Sequence, residues 1–198
     1  MTEEQGSIRS GVGNCSAFYI VCEKNRWRNC IYHDIIDVFD ESETLNFTKR
    51  VIVMNHIELA KKYFEQKYHC SQAVLAAFAE ELGLTEEQAL KLGGCFGGGI
   101  CKGEVCGACA GALMALGMKF GQSDIEDLES RKKTNDITVE FLDLFKAENG
   151  SYLCRELLGC DLSTDEGKKY AMDKQLFVEF CPKMVESATL IAEKLLKC

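Results

Sequence analysis

Proline occurs once in 198 residues, tryptophan once and histidine three times. A single proline, Pro182, leaves helices free to run between their own stop signals. Three scattered histidines, His33, His56 and His69, make no His-rich metal motif, and no Ser/His/Asp arrangement or paired-carboxylate pattern accompanies them. Hydrolytic chemistry therefore has no support in the residues. Positive charge is also scarce: 23 Lys and Arg stand against 31 Asp and Glu, for a formal net charge of −8. Nucleic acid is held by a dense basic stripe, which is missing, so it is not an expected partner. Nor does any apolar run approach the roughly 18 residues that span a bilayer; the longest, Ala108 to Met118, is broken by glycine, and no membrane insertion is expected. The apolar patch from Ala17 to Cys22 lacks a basic leader and a small-residue cleavage site, so no secretory signal is read there and the expected location is cytoplasmic.

Cysteine and glycine are abundant instead, at 12 and 17 residues. In a reducing compartment the even number of cysteines does not mean six disulfides, and metal, catalytic or redox roles gain weight. Several cysteines fall where a helix should begin: Cys70, Cys106 and Cys109 after a glycine-rich stretch, Cys154, and Cys181 before Pro182. A helix start favours thiolate by roughly 0.3–1 kcal/mol, which lowers a thiol pKa by less than about one unit. One such end makes a cysteine only somewhat reactive. Where several converge, like charges raise each other's pKa, and the sulfurs must be protonated, disulfide-bonded or bound to a metal.

From His56 onward the pattern is strongly helical. Ile57, Ala60 and Phe64 begin one stripe, a break is expected at Tyr68-His69, and Val74, Leu75, Phe78 and Leu82 carry the next stripe to Gly83. Thr85-x-x-Gln88, Ser123-x-x-Glu126 and Ser163-x-x-Glu166 read as capping boxes, and Ile137, Phe141, Leu144 and Phe145 line one long helix. In the last helix Met184, Val185, Ala188, Ile191, Ala192, Leu195 and Leu196 recur at i, i+3, i+4 spacing, with Pro182 at its first position and Cys181 as the expected N-cap. Residues 1–53 differ, with weak periodicity, Trp27 and three isolated cysteines, Cys15, Cys22 and Cys30. They are expected to be an N-terminal extension, either non-native or disordered with Met54 as the true start, or a genuine extension packed on the domain. Residues 54–198 are expected to form a single-domain, all-α helical bundle, with a glycine-rich, cysteine-containing loop between helices.

The stretch from Gly93 to Gly121 carries most of the chemistry. Its glycines, Gly97, Gly98, Gly99 and Gly107 among them, expose backbone amides that can fold round an anion, a cofactor or sulfur ligands. A P-loop is excluded, because Gly98-x-x-x-x-Gly103 is followed by Glu104 and Val105 in place of Lys and Ser/Thr. Gly107, Gly111, Ala112 and Gly117 suit close helix packing. Cys106-x-x-Cys109 has the spacing of a dithiol motif and of half a zinc site. With Cys101 it also matches the Cys-x4-Cys-x2-Cys of plant-type ferredoxins, although those wrap the loop on a sheet.

His69-Cys70-Ser71-Gln72-Ala73-Val74, Phe96-Gly97-Gly98-Gly99, Gly103-Glu104-Val105-Cys106-Gly107-Ala108, Gly111-Ala112-Leu113-Met114, Cys154-Arg155-Glu156-Leu157-Leu158-Gly159 and Cys181 resemble the C_GCAxxG_C_C family of redox-active proteins. The resemblance runs from Met54 to the C-terminus, and its Cys-Gly-Ala-x-x-Gly motif falls on Cys106 to Gly111. It implies that Cys70, Cys106, Cys154 and Cys181 are the functional cysteines of a redox-active protein, with an electron-transfer or transporter-linked protein as partner. Related sequence beside the haem domain of split-Soret cytochromes has been linked to iron–sulfur binding. Cys95, Cys101, Cys109, Cys160 and Cys198 are this chain's additions.

Three functions stay open on these residues. The leading one is an iron–sulfur cluster or other metal on Cys70, Cys106, Cys154 and Cys181, for electron transfer or redox sensing, with glycine-loop amides donating to sulfur. The second is metal-free thiol–disulfide exchange or sensing, with Cys106 attacking and Cys109 resolving. The third is a structural zinc site or a transporter-associated interaction role. His69 is a candidate ligand or base but more commonly a cap, Cys160 a spare ligand, Cys198 an exposed oxidisable thiol, and Glu104 and Arg155 charges that flank key sulfurs.

Overall fold

Capping chemistry decides where the helices begin. The computed structural model describes residues 55–197, and the expectations for residues 1–53, Met54 and Cys198 lie outside the described residues. Among the described residues there are nine α-helices and no strand, which is the all-α class: α1 (His56–Glu65), α2 (Cys70–Ala77), α3 (Glu86–Gly93), α4 (Gly107–Phe120), α5 (Leu128–Asn149), α6 (Cys154–Leu158), α7 (Asp165–Asp173), α8 (Leu176–Glu179) and α9 (Cys181–Leu196). At α3 the expected box closes in both directions: the Gln88 amide donates to the Thr85 hydroxyl at 3.2 Å and the Thr85 amide to Gln88 Oε1 at 2.9 Å.

The other two boxes start elsewhere. Asp127, not Ser123, caps α5, accepting the Ser130 amide at 3.0 Å, and that bond holds its carboxyl below the usual range. A carboxylate is the stronger acceptor at the positive end of a helix, and Asp127 lies closer to the apolar stripe than Ser123 does. At α7 the cap moves by one residue to Thr164, which accepts the Gly167 amide at 3.0 Å, while Asp161 takes the Ser163 amide at 2.8 Å. Cys181 is likewise the first residue of α9 rather than its cap. Phe180 fills the cap position because α8 runs almost directly into α9: the Phe180 amide donates back to the Leu176 carbonyl, and its own carbonyl accepts from Lys183, both at 3.0 Å.

Core formation follows the stripes. Met184, Val185, Ala188, Ile191, Ala192, Leu195 and Leu196 are all buried, and α9 packs on α1, α4 and α5. Each such large aliphatic side chain contributes roughly 1.5–3 kcal/mol of burial. Phe78, Phe141 and Phe145 are fully enclosed, whereas Leu144, expected on the buried stripe, is 45% exposed. Small residues bring α2 and α4 together: a Cβ on Gly111 would fall 2.4 Å from the Ser71 carbonyl oxygen. Gly117 serves no such contact, since nothing lies within 4 Å of its would-be Cβ. A second, smaller apolar cluster joins Cys154, Leu158, Leu162 and Ala171, with Cys160, Leu176, Phe180 and Cys181 half-buried against it. No described helix is long and apolar enough to cross a membrane.

Candidate thiol and metal site

The four cysteines singled out by resemblance stand at four helix starts. Cys70 is the first residue of α2, Cys106 the cap of α4, Cys154 the first residue of α6 and Cys181 the first of α9. Two of them are brought together by a short antiparallel pairing of Val105 with Leu153. In it the Cys106 amide donates to the Tyr152 carbonyl at 2.8 Å and the Cys154 amide to the Glu104 carbonyl at 2.7 Å. The chain leaves this two-bond ladder directly into α4 on one side and α6 on the other, so both sulfurs sit beside backbone that is already fixed. Arg155 clamps the outer edge, donating from Nε to the Gly103 carbonyl at 3.1 Å and pairing with the Glu104 carboxylate.

Ahead of the ladder the glycine-rich loop makes one left-handed turn. Gly98, Gly99, Ile100 and Cys101 all have φ between +56 and +61. At Gly99 glycine is required twice over, since a Cβ there would meet the Glu104 backbone at 2.5 Å and the Cys154 Cβ at 2.9 Å. Ile100 and Cys101 take the same conformation without that freedom, which for a β-branched residue is costly. Gly97 lies against the His69 ring, and Gly107 against the Cys70 sulfur. His69 itself occupies the cap position of α2, its amide donating to Gln72 Oε1 at 2.9 Å.

Around these backbones the sulfurs act on one another. Cys70 is hydrogen-bonded to Cys106, and that contact, then burial, holds the Cys70 thiol well above its ordinary value; amides of Gly98 and Ser71 bonded to the same sulfur pull the other way. A sulfur contact with Cys109 is the largest cause raising Cys106. Cys154 and Cys181 are each pushed up to about 12, by burial first and then by the neighbouring Cys70. A single helix start favours thiolate by less than about one unit, and burial together with the neighbouring sulfurs outweighs that pull, as expected where several such ends converge. Without a metal these sulfurs are neutral thiols, and all eight described cysteines are free.

Other predicted residues separate from this group. Cys95 and Cys101 are exposed, and the Cys101 sulfur rests 3.7 Å from the Gly97 carbonyl, turned to the surface rather than joining Cys106 and Cys109 in a ferredoxin-like triplet. Cys109, by contrast, does touch the group: fully buried in the main core one turn into α4, it contacts Cys106. Cys160 was the addition that sequence reasoning left on the margin: it packs with Cys154 and Cys181, and its six-residue spacing from Cys154 was the only signal of that. Soft sulfur donors gathered at helix starts fit the chemistry of zinc or an iron–sulfur cluster. Among the described residues, no three His, Cys, Asp or Glu side chains are arranged as the coordination sphere of one metal ion.

A family model described as "Putative redox-active protein (C_GCAxxG_C_C)" matches residues 68–195. No curated protein and no solved structure matches the chain.

Proposed function

This chain belongs to the C_GCAxxG_C_C redox-active family, and from that premise we propose that Cys70, Cys106, Cys154 and Cys181 together hold an iron–sulfur cluster or another soft metal for electron transfer or redox sensing. One observation carries the reading: four helix starts bring these sulfurs into one neighbourhood, Cys70 against Cys106, Cys154 near both, and Cys181 near Cys70 and Cys154. Four crowded thiols, two of them buried and two half-buried, gain little from such crowding as thiols, whereas a cation would turn the mutual repulsion of thiolates into attraction. A bound iron–sulfur group supplies one-electron chemistry. The chain's part is to bind through sulfur, to keep water out with Leu158, Leu162 and Ala171, and to set the charge on Cys70 with the Gly98 and Ser71 amides.

A second reading, metal-free exchange between Cys106 and Cys109, has the sulfur contact between them in its favour. Its weakness is chemical. The attacking group must be an accessible thiolate, and Cys106 is both buried and pushed up.

Anaerobic purification with an absorption spectrum and iron, zinc and acid-labile sulfide determination tests the assignment. Bands at about 400 nm with iron and sulfide would identify a cluster, and zinc alone a structural or regulatory site. Cys70→Ser and Cys181→Ser are expected to lose the bound group while Cys109→Ala retains it. A colourless, metal-free wild-type protein that exchanges disulfides only while Cys109 is present would establish the second reading instead.

A further inference from the structure

Cys160 is not one of the four sulfurs assigned above, yet it lies among them. It follows Gly159, whose left-handed backbone at φ +65 ends α6. Half-buried, it packs with the likewise half-buried Cys181 on the small cluster of Cys154, Leu158, Leu162 and Ala171. Cys160 is also one of the neighbours that Cys181 senses electrostatically. Of the two nearby sulfurs Cys154 is the poorer covalent partner. Cys160 lies six positions after Cys154 and beyond the five-residue helix that Cys154 opens, whose rise of 1.5 Å per residue already carries the chain about 6 Å away by Leu158. Cα atoms more than roughly 7 Å apart are not bridged without backbone movement. Cys181 arrives on a different helix and is free of that constraint.

We propose that Cys160 and Cys181 form a reversible disulfide, which withdraws Cys181 from metal binding when the chain is oxidised. The withdrawal rests on the ligand role given to Cys181 above; the disulfide itself does not. The oxidant is a low-molecular-weight disulfide, RSSR. The thiolate of Cys160, the less deeply placed of the two, attacks it, forming a mixed disulfide and releasing RS⁻, which takes up a proton. The other protein thiol, losing its proton, then attacks the protein sulfur of the mixed disulfide; the Cys160–Cys181 bond closes and a second RSH leaves. Two protein thiols lose two electrons and two protons, and RSSR becomes two RSH. Reduction by a dithiol reverses every step and returns Cys181 as a ligand, so metal occupancy and the disulfide exclude each other.

The full chain, prepared metal-free under reductant and desalted, is exposed to oxidised glutathione, alkylated with N-ethylmaleimide and mapped by mass spectrometry. The expected result is a cross-linked peptide pair containing Cys160 and Cys181, with the loss of both as alkylated thiols and full reversal by dithiothreitol. Cys160→Ser and Cys160→Ala are both expected to leave Cys181 alkylated, and the wild-type map needs neither variant to fold. Recovery of Cys160 as an alkylated thiol, or its pairing with another cysteine, would overturn the proposal. A lower iron or zinc content in Cys160→Ser than in wild type after identical anaerobic preparation would also overturn it, because Cys160 would then be a ligand. If the wild-type chain takes up no metal, the metal assignment fails while the peptide map still decides the disulfide.

Discussion

Gly107 and the Cys70 sulfur leave no room for a methyl group between them: a Cβ on Gly107 would lie 2.5 Å from that sulfur and 2.7 Å from the Phe96 carbonyl oxygen. The first turn of α4 thus sets how deep the first sulfur of α2 can sit. Gly107→Ala is expected to push the two helix starts apart at a cost of about 1–3 kcal/mol, read as a lower urea midpoint, and to reduce the metal content of anaerobically purified protein. An alanine variant as stable as wild type would show that the two turns part freely.

Raised thiols make the metal-free fold sensitive to alkali. Cys154 and Cys181 hold their protons up to about 12 when folded, against roughly 8.5 for an unperturbed thiol. Below the unfolded value both states carry the same protons, and this favourable contribution is fully present. Between about 8.5 and 12 the unfolded chain ionises first, so stability falls as pH rises. The metal-free wild type under reductant is expected to show a steeper drop in urea midpoint from neutral to alkaline pH than a Cys154→Ala/Cys181→Ala variant. Equal slopes would mean that these thiols face water in solution.

The left-handed turn stores backbone strain at Ile100, which is 51% exposed and therefore gains little from its side chain. Ile100→Gly is expected to stabilise the fold by about 1 kcal/mol, since a β-branched residue in this conformation costs roughly 1–2 kcal/mol and glycine does not. Thermal unfolding checks the sign. Destabilisation would show that Ile100 packs against something that offsets its strain.

Across the ladder, Arg155 and Glu104 contribute unequally. Their ion pair is solvent-exposed, and Glu104→Gln is expected to cost under about 1 kcal/mol. Arg155→Ala also strips the Gly103 carbonyl of its partner, so faster hydrogen exchange at the Cys154 and Cys106 amides is expected in that variant and not in the other. Identical exchange in the two would reduce Arg155 to its charge alone.

Helix starts and apolar stripes were legible in the sequence because they depend on neighbours three or four residues away. The Thr85 box and the whole stripe of α9 follow from such local rules. Where two acceptors competed within a few residues, pattern alone chose the wrong one, taking Ser123 over Asp127 and Ser163 over Thr164. Cys181 was misplaced by one position because the cap is set by α8, a four-residue helix too short to leave a periodic trace. The set of four sulfurs was legible as a list of helix starts and in the family resemblance, but their geometry was not. The Val105–Leu153 pairing joins residues some fifty positions apart and has no local signature, and the glycines that open the left-handed turn do not announce that it continues through Ile100 and Cys101.

That pairing also sets an order of assembly. As the chain is made from its N-terminus, Cys70 and Cys106 emerge well before the Tyr152–Cys154 segment that completes the ladder, and Cys181 comes later still. Local helices form quickly, while contacts between distant segments wait for both partners. A nascent chain therefore carries helices before it carries a site, and in that interval its early thiols lack the burial that later keeps them inert. Protection of those thiols during synthesis has to come from outside the chain until the fold closes over them.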